Sequence, residues 1–154
     1  MAGLVLASPI RNTLCHLRWI AGVCAGGDTG RSGADMSIVA KILIALVALE
    51  HVYFLVLEMF LWTAPRTRAA FGMSAEQAEQ TKVLAGNQGL YNGFLAAGLA
   101  WSLIAPPGYA TQLALFFLGC VVVAGIYGGF TANKRIWLLQ ALPAGVALLA
   151  VIFA

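Results

Sequence analysis

The sequence predicts an all-α fold, an integral membrane bundle of four transmembrane helices, and three observations point to it. Of 154 residues, 61% are hydrophobic and only 10% charged, whereas a soluble domain is usually about 25% charged. The mean hydropathy of +0.87 agrees. Four apolar stretches each reach the roughly 17–25 residues that a helix needs to cross a hydrocarbon core. The length allows one compact domain at most. Nine Lys and Arg against six Asp and Glu give a net charge of +3, but the basic residues are scattered in ones and twos rather than arranged as a stripe, so nucleic acid is not an expected partner. The three cysteines, Cys15, Cys24 and Cys120, are odd in number and lack metal-ligand spacing, which argues against a disulfide framework and a zinc site.

Residues 1–35 precede the first long apolar stretch. Their one apolar run is interrupted by His16 and Arg18, so it lacks the continuous hydrophobic region of a secretory signal. The expectation is a disordered tail or an upstream extension, with translation starting at Met36. The four-helix membrane domain then covers residues 36–154.

The first span is predicted over residues 38–61 and ends at Trp62-Thr63-Ala64-Pro65-Arg66, where an interfacial aromatic, a proline and a positive charge follow one another. The connection from 62 to 82 is the one substantial loop. Within it Ser74 is placed as an N-cap with Gln77 three residues on, the pattern of a capping box. A short amphipathic lead-in to the second span is expected there, with Phe71 and Met73 at the membrane surface. The second span is predicted over 83–105 and ends at Pro106-Pro107-Gly108. The third, over 113–131, and the fourth, over 136–153, are joined by the short turn Asn133-Lys134-Arg135. Pro143 lacks an N–H, so it is expected to kink the fourth span and free a carbonyl near Leu139.

Arg66, Arg68, Lys82, Lys134 and Arg135 all fall in the first and third connections, and the second connection carries no Lys or Arg. By the positive-inside rule those two connections are cytoplasmic and both termini lie outside, although Arg11, Arg18 and Arg31 oppose that bias.

Polar residues within the spans are the candidates for function, because each is costly in hydrocarbon without a partner. They are Glu50, His51 and Glu58 in the first span, Asn87, Gln88, Tyr91 and Asn92 in the second, Cys120 and Tyr127 in the third, and Gln140 in the fourth. At 100° per residue His51 and Glu58 share one face, as do Gln88, Tyr91 and Asn92. Measured inward from the cytoplasmic ends at the helical rise, Glu58, Asn87, Gln88, Tyr127 and Gln140 fall roughly 6–9 Å deep. His51 and Asn92 fall roughly 15 Å deep, with Glu50 and Cys120 at similar height. Two stacked polar layers are therefore expected. Ala85, Gly89, Gly93 and Ala97, and likewise Gly125 and Gly129, recur every four residues, a spacing that lets helices approach closely.

Four runs in order, Glu50–Trp62 (EHVYFLVLEMFLW), Asn87–Phe94 (NQGLYNGF), Val123–Gly128 (VAGIYG) and Gln140–Ala144 (QALPA), resemble the bacterial membrane family known as domain of unknown function 1304. The resemblance extends from about Met36 to the C-terminus, and members of that family typically begin near Met36. A more distant likeness, of architecture only, is to the DoxX-like four-helix membrane proteins. The resemblance implies a four-helix protein of the bacterial inner membrane and supplies no reaction.

Three functions compete. The first is a binding or transport module, in which His51, Glu58, Asn87, Gln88, Tyr91, Asn92, Tyr127 and Gln140 receive a small amphipathic or lipid-like molecule; one bundle is thin for a transporter, so a homodimer is expected in that case. The second is an enzyme using Glu50, His51 or Glu58 as acid and base on a lipophilic substrate, as in isomerisation of a double bond. The sequence carries no nucleophile elbow, nucleotide loop or redox signature, so no cofactor is expected. No metal is expected either, because Glu50 and His51 are adjacent, whereas carboxylate-bridged di-metal bundles use Glu-x-x-His. The third is an accessory subunit whose polar residues serve as hydrogen-bond glue. Such bonds contribute only about 0.6 kcal/mol each in membranes, against an insertion cost on the order of 3 kcal/mol for an acidic residue. The first reading is preferred.

Overall fold

The computed structural model describes residues 35–153, and the expectation for residues 1–35 lies almost wholly outside them. The described chain is all-helical. Helix α1 spans Ile38–Phe60, and the Ser37 hydroxyl caps it by accepting the Ala40 N–H at 3.2 Å. Pro65 opens a short helix, α2 (Pro65–Phe71), as its first residue, where the missing N–H has no helical partner to lose. That helix stops at Gly72, whose φ of 66° is left-handed; the Met73 amide then reaches back to the Arg68 carbonyl at 2.9 Å. The sequence reading treats this segment as loop, although proline at its start and glycine just beyond its end are both helix signals.

Helix α3 (Ala75–Ile104) begins with the expected capping box: Ser74 accepts from the Gln77 amide while the Gln77 side chain accepts from the Ser74 amide. No separate lead-in precedes the span. The 30 residues form one uninterrupted helix roughly 45 Å long, because nothing between Ala75 and Leu84 breaks it. Trp62 ties its polar start to the end of α1 by donating to Thr81 Oγ1 at 3.0 Å, and the Trp62 ring packs at a tilt of 53° against Phe71. Helix α4 (Pro107–Thr131) starts earlier than the expected 113, again with proline in its first turn.

The last segment is more than a kink. Residues Trp137–Ala141 form a π turn, continued by α5 (Leu142–Ile152). The Leu142 amide bonds to the Trp137 carbonyl five residues back. Pro143, with no amide to give, follows at once, so the widened turn accommodates a gap in the ladder that proline imposes.

In the bundle α1 lies beside α3 and α5, and α4 lies beside α3 and α5. The core is small-chained and threaded by a few large residues: Ile44 and Val47 from α1, Leu99 from α3, Leu118 and Val121 from α4, with Ala144 and Ala147 from α5. Outside it the surface is apolar. Ile38, Phe60, Ile104 and Phe130 are each at least 70% exposed. Two helices, α1 and α4, are long and apolar enough to cross a membrane, and only 28% of the most apolar stretch of each is buried. A core helix of a water-soluble protein would be mostly covered; helices this apolar and this uncovered suit a non-aqueous neighbour. The final helical stretch, Trp137–Ile152, is apolar but shorter, and α3 carries Glu76, Glu79 and Lys82 in its first turns.

Candidate functional site

Two hydrogen-bonded pairs join polar side chains across the helices. His51 is fully buried on α1, and its Nδ1 lies 2.8 Å from the Val47 carbonyl one turn back. A carbonyl oxygen only accepts, so Nδ1 carries the proton and the neutral ring presents Nε2 as an acceptor. Facing it at 3.5 Å is the Gln140 amide nitrogen, a long and weak donor. Gln140 sits inside the π turn, the same irregularity that Pro143 imposes. The His51 ring also meets Phe54 edge-on.

The second pair is Glu58 with Asn92, whose amide nitrogen donates to the carboxylate at 2.7 Å across α1 and α3. Asn92 is buried and Glu58 half-buried. Glycine brings these helices together: a Cβ on Gly89 would stand 2.7 Å from Met59 Cγ and 3.1 Å from Glu58 Cβ. Glu58 has no basic partner among the described residues. Among the described residues the one ion pair joins Lys82 to Glu79 in the first turns of α3.

Each pair joins one expected layer to the other, so the layered arrangement does not hold. Glu58 meets Asn92 and His51 meets Gln140, whereas depth alone put Glu58 beside Gln140 and His51 beside Asn92. A rise measured along each axis omits helix tilt and the several ångströms that a Glu or Gln side chain reaches.

The remaining candidates lie elsewhere. Glu50 is half-buried beside His51 and makes no hydrogen bond to described residues. Asn87, Gln88, Tyr91 and Tyr127 are exposed, Tyr91 at 59% and Tyr127 at 70%. Cys120 is half-buried on α4. No group of three His, Cys, Asp or Glu side chains that could hold a metal occurs among the described residues.

Trp137 is a structural contributor that the sequence reading passes over. Its indole covers Gly129 and donates to the Ile126 carbonyl at 3.1 Å, while a Cβ on Gly125 would lie 2.7 Å from the Ala141 nitrogen. These contacts fix the π turn, and hence Gln140, against α4. The signal was present in the two glycines four apart, which leave room for something large on the neighbouring helix.

No solved structure matches the chain. A relative from Lactococcus lactis subsp. lactis (strain IL1403), described as the uncharacterized protein YpaA, is 37% identical over 91 residues, which cover 58% of this chain and 76% of the relative. The family model described as protein of unknown function, DUF1304, matches residues 45–152. That stretch holds both polar pairs, the glycines that let the helices close on them and the π turn that delivers Gln140, and it is by this match that the chain belongs to the DUF1304 family.

Proposed function

We propose that the chain is a multi-pass protein of the bacterial inner membrane that binds or moves a small amphipathic molecule at the polar site formed by His51, Glu58, Asn92 and Gln140. In this reading α1, α3, α4 and the final π turn with α5 cross the bilayer as a four-helix bundle. The end carrying Arg66, Arg68, Lys82, Lys134 and Arg135 faces the cytoplasm. Helices with apolar outer faces favour a lipid environment for all four, including the shorter last one.

The Glu58–Asn92 pair carries the functional reading. An ionised carboxylate can accept about four hydrogen bonds, and Asn92 supplies one. A half-buried acid held by one amide, with no cation beside it among the described residues, is poorly served as structure and well placed to receive a donor from outside. The test is native mass spectrometry of the full chain purified from bacterial membranes. A small amphipathic molecule should co-purify with the wild type and be lost in Glu58→Gln and Asn92→Leu, both still inserted and folded. Retention of the same bound species in both variants would refute the site.

The fixed tautomer of His51 favours a second reading, acid–base catalysis on a lipophilic substrate, since it presents a defined proton acceptor. Lipid extracts separate the two: a precursor accumulating in cells that lack the protein would indicate an enzyme, and an unmodified co-purifying molecule a binder.

A further inference from the structure

Helices α1 and α3 close on each other over one part of their length and leave a furrow over another. They run antiparallel, with Met59 level with Gly89 and Leu55 level with Gly93. From the Leu55–Gly93 level toward the start of α1, small side chains such as Ala45, Ala48 and Ala100 leave a shallow furrow of about 520 Å³ along the seam. Both helices line it, from Ala45 to Leu55 on α1 and from Gly93 to Leu103 on α3, and every lining side chain is apolar. One end is stopped, because the Leu55 side chain lies over Gly93, where a Cβ would stand 2.5 Å from Leu55 Cδ1. Beyond Leu103 α3 ends at Ile104, so that helix does not close the other end. At the helical rise the stretch from Ala45 to Leu55 is roughly 15 Å long, half of the roughly 30 Å hydrocarbon core and so the depth of one leaflet.

Lys41 stands on the furrow's side of α1 at that open end. It precedes Ala45 and Ala48 by four and seven residues, spacings that share a helix face. The register that pairs Leu55 with Gly93 sets it level with Pro107, past the end of α3. Its side chain is half-buried, as expected when a lysine stem lies along apolar surface and its ammonium reaches for the aqueous boundary. No carboxylate pairs with it among the described residues, whose one ion pair is Lys82 with Glu79.

We propose that this furrow is a lipid-binding site, holding one acyl chain of an anionic phospholipid whose phosphate head group meets Lys41. The site is separate from the Glu58–Asn92 pair and shares with the reading above only the membrane. Shape selects the chain. A furrow one leaflet long, open at the head-group level and stopped at mid-bilayer, suits a tail that enters from that level, whereas a helix of a second copy would run on past Leu55. Charge selects the head, since an unpaired ammonium offers three donors and a positive charge at the depth of the phosphates.

The full chain is reconstituted in nanodiscs of equal parts phosphatidylglycerol and phosphatidylcholine with matched tails, and the lipids it retains on release are counted by native mass spectrometry. Phosphatidylglycerol is expected to be retained at least fivefold over phosphatidylcholine, with Lys41→Gln bringing the ratio near one and Lys41→Arg keeping it. Ala100→Phe, which fills the furrow from an exposed position, is expected to lower phosphatidylglycerol retention at least fivefold, while Val146→Phe on the exposed face of α5 leaves it unchanged. Glu58→Gln is expected to leave it unchanged too, so the furrow and the polar site can fail separately; loss of phosphatidylglycerol in that variant would overturn a separate site. Equal retention of the two lipids, both lost in Ala100→Phe, would overturn the anionic head and keep the furrow. A preference that survives Lys41→Gln would overturn the role of Lys41, and full retention in Ala100→Phe the furrow itself. A wild-type dimer that Ala100→Phe converts to monomer would mean that a second copy covers the seam, and would overturn the lipid.

Discussion

The two halves of the bundle are held by different means. In the half away from the glycine contacts of Gly89, Gly125 and Gly129, side chains fill the centre: Ile44, Leu99, Leu118 and Val121 are fully buried among alanines. At the basic end backbones approach instead, through Gly89, Gly125 and Gly129, and the groups between them are an acid, two amides and an imidazole. In the lipid environment proposed above, helices would gain little from merely hiding apolar surface, since lipid is as apolar as leucine; close packing and hydrogen bonds would hold them. The first half has the packing. The second has glycine contacts and two polar pairs, one of them long. Side-chain packing is thus concentrated at one end, and the polar pairs sit at the other.

That contrast can be broken by substitution. Leu118→Ala should have the largest effect, a loss of about 2–5 kcal/mol from the cavity it leaves, seen as a lower unfolding midpoint in detergent. A loss under about 1 kcal/mol would mean the filled half is not the stable one. Gly129→Val comes next, at about 1–3 kcal/mol from overpacking against the Trp137 indole. Its distinguishing readout is tryptophan fluorescence, which should shift as the indole is displaced, whereas Leu118→Ala leaves that emission in place. The smallest effect is expected from Glu58→Gln and Gln140→Leu, each about 0.6 kcal/mol. If either costs more than about 2 kcal/mol, its pair is a structural clasp, and the difference between the halves is one of chemistry alone.

Helix positions are largely legible in the sequence, and the inner faces only in part. Apolar runs bounded by Pro106 and by Asn133–Arg135 place the turns correctly, the Ser74 capping box is present as read, and His51 and Asn92 are inward-facing as periodicity requires. Partner choice was not legible. Which residue meets Glu58 depends on tilt and on how near Gly89 lets α3 come, and neither is encoded in a one-helix periodicity. Gln88 lies one turn from Asn92 on nearly the same face, yet one is exposed and the other buried, where it meets Glu58 of α1. A helical wheel describes one helix and cannot report where its neighbour leaves off. Helix α2 was missed for a different reason: seven residues are too few for periodicity to register, and only its terminal Pro65 and Gly72 mark it.

The π turn also constrains the permissible length of the chain. A π turn is one residue longer than the α-helical path it replaces, so Trp137–Ala141 amounts to a single inserted residue held in place by Pro143. The wider turn absorbs that residue, so removing one residue from it would restore regular winding and leave the flanking residues in nearly the same phase relative to the Ala144 and Ala147 face. A one-residue deletion here would therefore act locally, narrowing the turn that offers Gln140 to His51 and leaving the register of the packed half in place.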